Sequence, residues 1–119
     1  MLFRSWLISD SAVELYQCKL MVLHAAYQIE HQMDFTAVVS MAKHFVANSL
    51  WRIIDRAIQV HGALGYSTDT PLAHMLQQAR WARFADGADE IHQMRIAQRT
   101  IAAYNDSGTT RAATGALPI

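Results

Sequence analysis

The residues of this chain whose types and spacing could do chemistry lie between Ala57 and Arg95, in AIQVHGALGYSTDTPLAHMLQQARWARFADGADEIHQMR. Asp86 stands in a short Asp-Gly hinge between two apolar segments, where burial would disfavour the charged form and make the carboxylate a usable base. The same residue lies where it could instead cap the helix that follows, and a helix N-terminus favours the charged form. Upstream, Gly62 and Gly65 stand three apart after an apolar helical stretch. Glycines there permit positive φ and let a backbone or a ligand come close, or they serve as ordinary helix caps. Neither GxGxxG after a strand nor GxxxxGK[ST] occurs, so a self-contained nucleotide-binding loop is absent.

Six histidines raise a metal hypothesis. His24, His31, His44, His61, His74 and His92 make no HExxH, and a di-iron bundle wants two Glu-x-x-His motifs where a single Asp89-x-x-His92 exists. Core or surface histidines are the better reading, and no metal site is expected. Cys18 lies mid-helix near Leu15 and Met21 without an activating partner and reads as buried and inert. Trp6, Trp51 and Trp81 read as core or interface anchors, and Arg80, Arg83, Arg95 and Arg99 as a basic, solvated face on the last two helices.

These residues must be positioned by helices, because no run of β period appears. Leu2, Phe3, Trp6, Leu7, Val13, Tyr16, Leu20, Leu23 and Tyr27 step by three or four and predict an amphipathic helix over about 3–31. Ser9, Asp10 and Ser11 offer a second start as the alternative. Asp34 is placed as the N-cap of a second helix, whose stripe from Phe35 through Val38, Ala42, Val46, Leu50 and Ile54 to Ile58 closes at Gly62. At ~1.5 Å per residue each would extend roughly 40 Å, which suits antiparallel pairing across a turn at residues 31–34. Thr70-Pro71 supplies an N-cap and a first-turn proline for a third helix to about Phe84. A fourth runs from about Ala88 to Asn105 and is expected to bury Ile91, Met94, Ile96, Ala97 and Ile101. The fold class is all-α, an antiparallel bundle of about four helices over 1–105, with a small, polar tail over 106–119 expected to be mobile.

Bulk properties narrow the function. The chain has 119 residues, 52% of them hydrophobic, enough for one core but not two. Ten basic and ten acidic side chains cancel, which removes the electrostatic case for nucleic acid or an anionic membrane surface. The single cysteine excludes an internal disulfide framework and fits a reducing compartment. No uncharged run approaches the ~18–20 residues needed to span a bilayer, and a cytoplasmic protein is expected.

The segments Ala57 to Tyr66 (AIQVHGALGY), Thr70-Pro71-Leu72 and Asp86 to Ile91 (DGADEI) resemble the C-terminal helical domain of acyl-CoA dehydrogenases. Those flavoenzymes commonly show A-x-Q-x-x-G-G-x-G-[FY], a downstream proline and E-G-T-x-[EQ]-I, and the interval from Gln59 to Asp86 fits the family spacing without a gap. The similarity is clear over about 51–101 and extends back to about residue 3. The stretch from Asp86 to His92 looks like a branch that uses aspartate where most members have glutamate.

The resemblance implies α,β-dehydrogenation of an acyl-CoA thioester. A carboxylate takes the α-proton, the β-hydrogen leaves as hydride to FAD, and a trans-2-enoyl-CoA results. By position the base would be Asp86, with Trp81, Phe84 and Ala85 as the desolvating walls it needs. Some members take their base from an earlier helix, and in such an enzyme Asp86 would be idle. Gln59 and Gly62 match positions that approach the FAD of a neighbouring subunit, Gly65 belongs to the same turn, and Glu90 stands where Gln or Glu reaches the adenine end. The basic face gains CoA phosphates as an alternative partner. This sequence departs from the pattern at Ala63, in place of the second glycine, at Ala88, in place of a flavin-touching threonine, and at Gln77-Gln78, in place of Arg-Asp. Complete members also carry an N-terminal helical domain, a β-domain and a further helix, so activity is expected only with those parts, in a homodimer or homotetramer. The alternative function is a catalytically silent helical module retained for oligomerisation.

Overall fold

The computed structural model describes residues 4–115. It consists of α1 (Ser5–Glu30), α2 (Thr36–His61), α3 (Ala63–Tyr66), α4 (Leu72–Trp81), α5 (Asp89–Ser107) and α6 (Arg111–Thr114), with no strand among the described residues. Leu2 and Phe3, expected in the first helix, lie outside that range, as does the tail beyond Gly115.

α1 runs unbroken through Ser9, Asp10 and Ser11. The Ser9 and Ser11 hydroxyls donate to the carbonyls of Trp6 and Leu7, so both serines are accommodated within the helix and neither opens a second one. Gln32 takes a left-handed φ of 54° and the Met33 amide donates back to the Gln28 carbonyl at 2.9 Å, a Schellman closure that reverses the chain. Asp34 caps α2 one residue earlier than a strict N-cap, its Oδ1 accepting from the Thr36 amide at 3.1 Å. Thr70 does not cap α4. Its hydroxyl turns back toward the carbonyls of Leu64 and Gly65, and Pro71 fills the cap position.

α2 is the axis of the molecule and touches every other helix. α1 lies antiparallel along one side, tied by the Glu14 carboxylate to Arg52 at 2.9 Å and Arg56 at 3.1 Å and by Arg4 to the Val60 carbonyl at 2.7 Å. On the other side α4 and α5 follow one another end to end, both antiparallel to α2. α4 begins beside α3 at the C-terminal end of α2, and α5 leads from the middle of α2 back to its start, where Arg99 meets Asp34 at 2.7 Å. The arrangement is three rows wide at any level, so the fourth row of a four-helix bundle is not among the described residues.

The seams between helices are lined by small or polar groups. Ala37, Ser40, Ala42, Ala47, Ser49 and Ala79 are buried, which lets the helix axes approach closely. Val38 and Ile54 of α2 are buried with them, but most of the large apolar side chains face outward. Trp6, Val13, Tyr16, Leu20 and Leu23, expected as the packing stripe of α1, are all exposed, as are Ile91, Met94 and Ile101 of α5. α1 carries apolar residues on more than one face, and the face with Cys18, Ala25 and Gln28 is the one set on α2. Trp6 and Trp81 are 59% and 56% exposed, so neither anchors a core within this chain. The radius of gyration of 17.2 Å exceeds the about 13.5 Å of a compact chain of this length.

α5 continues to Ser107, two residues into the expected tail, and α6 follows. Gln28, fully buried, donates from Nε2 to the Thr114 carbonyl and ties that last turn down.

Candidate functional site

The hinge between α4 and α5 carries the first group of candidate residues. α4 ends at Trp81, three residues before the expected Phe84, because the chain tightens through Phe84 and Ala85 amides that both reach the Trp81 carbonyl. The Asp89 amide then donates to the Arg83 carbonyl at 3.0 Å and the Arg83 guanidinium returns to Asp89 Oδ2 at 2.8 Å, closing the loop twice. Asp86 sits at its apex, exposed, with φ at 54°. A non-glycine residue in that region is uncommon, and aspartate is among those that adopt it most readily. It does not cap α5, where Ala88 holds the cap position.

Two side chains hold the apex from below. The Lys43 ammonium, from α2, donates to the Gly87 carbonyl at 2.8 Å. The buried His92 ring lies with Nε2 3.4 Å from the Asp86 carbonyl, and a Cβ at Gly87 would stand 3.0 Å from that same nitrogen. Glycine follows Asp86 because the ring fills the space a side chain would need.

Asp89 fixes the loop to α2. It is 5% exposed, and its Oδ2 accepts from Asn48 at 3.1 Å as well as from Arg83, while His44 Nδ1 stands 3.3 Å from Oδ1. Burial pushes its pKa up, but hydrogen bonds from Arg83, Asn48 and His44 outweigh it and hold the carboxyl below the usual aspartate range. Glu90 is exposed in the first turn of α5, at the positive end of the helix. Beside it a polar recess of about 160 Å³ lies between Arg80, Arg83, Phe84 and Ala88. Arg83 and Arg99 are engaged with Asp89 and Asp34, so two of the four arginines read as a solvated basic face are instead ion-pair partners.

The second group forms a corner at the C-terminal end of α2. Gly62 ends the helix with φ 62° and ψ −143°, a conformation open to glycine, and its amide donates to the Gln59 carbonyl at 3.3 Å. Nothing lies within 4 Å of where its Cβ would be, so its outer face is bare backbone beside the exposed Gln59. Gly65 is different. It is buried, and a Cβ there would meet the Ile58 carbonyl oxygen at 2.8 Å and His61 Cβ at 2.9 Å, so its smallness serves the packing of α3 on α2.

The structure therefore brings Asp86 and Glu90 together at the hinge and Gln59, Gly62 and Gly65 together at the corner, and keeps the two groups apart. Lys43 marks the level of the hinge on α2, and Gln59 follows 16 residues later, which at 1.5 Å per residue is about 24 Å along the axis. Sequence reasoning did not single out Lys43 or Asn48, and it weighed Asp89 and His92 as metal ligands and as part of the family motif without giving either a structural role. Arg83 and Asp89, opposite charges flanking the hinge, were the one local signal of the clamp. No group of three or more His, Cys, Asp or Glu residues suited to a metal occurs among the described residues, and none of the helices there is long and apolar enough to cross a membrane.

Comparison with known proteins matches residues 4–101 to the family described as acyl-CoA dehydrogenase, C-terminal domain. The chain is 44% identical over 93 residues to acyl-CoA dehydrogenase family member 10 of Mus musculus, covering 76% of this chain and 9% of that protein. It is 33% identical over 99 residues to (R)-benzylsuccinyl-CoA dehydrogenase of Thauera aromatica, covering 82% and 24%. Among solved structures, that of a putative acyl-CoA dehydrogenase from Mycobacterium abscessus superposes with a TM-score of 0.81 at 38% identity, covering 84% of this chain and 25% of that one. The chain thus spans a quarter or less of these relatives. From the helical fold, the glutamine-glycine corner and the extent of these matches, the chain belongs to the acyl-CoA dehydrogenase family, as its C-terminal domain.

Proposed function

We propose that this chain is the base-bearing helical segment of an FAD-dependent acyl-CoA dehydrogenase, with Asp86 as the base, and that it works only with parts supplying the rest of the site. The observation that carries the reading is the conformation of Asp86. An exposed aspartate is held left-handed at the apex of a loop anchored from both α2 and α5. Such over-determination of one side chain's direction is common where chemistry needs it.

Asp86 would take the α-proton of an acyl-CoA thioester on a carboxylate oxygen while the β-hydrogen departs with its electron pair, leaving a trans-2-enoyl-CoA. FAD, when bound, supplies the acceptor for that hydride. A carboxylate is a stronger base out of water, and Trp81 and Phe84, 56% and 55% exposed beside the hinge, are free to form the walls of a pocket completed by other parts. The corner fits a flavin nucleotide in one respect: Gly62 and Gln59 offer open backbone and an exposed amide against which a phosphate or adenine edge could lie. Glu90 would contact the adenine end and Gly65 would hold the turn. The ~24 Å between corner and hinge favours the two serving different centres, with the corner reaching the FAD of a neighbouring copy.

Asp86→Asn keeps the size and removes the base. In the flavin-loaded protein containing this chain, turnover and the bleaching of the flavin by an acyl-CoA should both be lost while the yellow chromophore stays bound. Turnover within twofold of the parent would place the base elsewhere. The outward-facing apolar residues of α1 favour one second reading, a silent oligomerisation module. A colourless protein that forms stable dimers or tetramers would support it.

A further inference from the structure

We propose that Lys43 is the positioning residue for Asp86: through its hydrogen bond to the Gly87 carbonyl it holds the Asp86–Gly87 turn left-handed and so aims the carboxylate. The inference rests on the reading of Asp86 as the base. Lys43 belongs to α2, 43 residues before Asp86, and spans from that helix to the hinge with a 2.8 Å bond at its tip. Lys43 is also among the residues lining an apolar groove between α1 and α2, with Val22, Ala26, Ile29, Val39 and Val46. Apolar surroundings suit the methylenes of a lysine whose ammonium reaches out to a polar partner, here the hinge carbonyl.

The other ties on the loop act on either side of the apex. The Arg83–Asp89 pair and the Asp89 amide fix the ends of the loop, and Asn48 fixes Asp89 to α2. Between them, the Gly87 carbonyl is bound by Lys43 and the Asp86 carbonyl faces His92 at the longer distance of 3.4 Å. Asp86 has a φ of 54°, a sparsely populated conformation for a residue with a side chain, while Gly87 adopts its φ of 102° freely. The Lys43 bond is the shorter and charge-assisted of the two, so it is the principal restraint on the peptide that orients Asp86.

Lys43→Met tests this cleanly, because methionine keeps an unbranched apolar side chain and deletes the donor. In the flavin-loaded protein, kcat should fall roughly tenfold to a hundredfold, the worth of one hydrogen bond to a charged group. KM and flavin content should stay within twofold, and Lys43→Arg, which keeps a cationic donor, should recover most of the loss. Hydrogen exchange should quicken at the amides of residues 86–89, in the hinge, and stay unchanged along α2. Lys43→Gln, a neutral and more soluble variant, carries the same expectation if methionine impairs folding. Should Asp86→Asn be inactive while Lys43→Met and Lys43→Gln keep kcat within twofold, the positioning role is overturned and the base stands. An active Asp86→Asn removes the base itself and the proposal with it. A uniform loss of stability in both variants, with exchange raised throughout, would make Lys43 a structural residue only.

Discussion

Replacing Gly65 by alanine adds one methyl group at a place where the backbone leaves none. Its Cβ would stand 2.8 Å from the Ile58 carbonyl oxygen, 2.9 Å from His61 Cβ and 3.0 Å from Ile58 Cα, where ordinary contact begins at 3.4 Å. Two of those three atoms are main chain and the third is a Cβ, so no rotamer change relieves the clash, and α3 must move off α2 by about 0.6 Å. Overpacking of this kind costs about 1–3 kcal/mol. Alanine returns up to about 1 kcal/mol through helix propensity and a less free unfolded chain. Taking the middle of the overpacking range, because the clash is with main chain, the net loss is about 1–2 kcal/mol, which lowers the melting midpoint by roughly 5–10 °C in a domain of this size. Thermal melts of the purified protein followed by circular dichroism would read the shift, and denaturant melts with a constant m-value would show that the unfolding itself is unaltered. A midpoint equal to or above that of the parent would refute the reasoning, since it would mean α3 shifts without resistance.

Acid should loosen the molecule through its paired carboxylates. Burial raises the pKa of Glu14, but hydrogen bonds and charge from Arg56 and Arg52 outweigh it, and the net shift is down; Asp89 is also held low. A depressed folded-state pKa contributes stability that is present above the unfolded value, about 4, and is lost as pH falls through the folded one. Denaturation midpoints should therefore hold near neutrality and drop below about pH 4, and Glu14→Gln should flatten part of that drop. Gln28→Leu removes both the bond to Thr114 and a buried Oε1 that has no partner. The two effects oppose, so global stability should change by less than about 1 kcal/mol while limited proteolysis near Arg111 speeds severalfold.

The two long helices were legible in the sequence because apolar periodicity over 26 residues and the turn chemistry at 31–35 and Gly62 agree. Which face of α1 packs was not. Both faces are apolar, and the sequence pattern favoured the larger side chains, whereas the seam is built from Cys18, Ala25 and Gln28. α3 escaped notice because a four-residue helix has no period to read, and the motif glycines around it looked like loop. At the hinge, the place of Asp86 in a short turn between two helices was readable, but the contacts that its loop makes with Lys43, distant in sequence, and with the His92 ring were not. Such long-range ties leave no local trace.

The separation of hinge and corner along α2 has a genetic consequence under the shared-flavin proposal. Each copy would lend its aspartate to one reaction centre and its glutamine-glycine turn to another. A chain crippled at Asp86 and a chain crippled at Gly62 would each be dead alone, yet in a mixed pair one centre collects both lesions and the other receives none. Two null alleles of this kind would partly rescue each other.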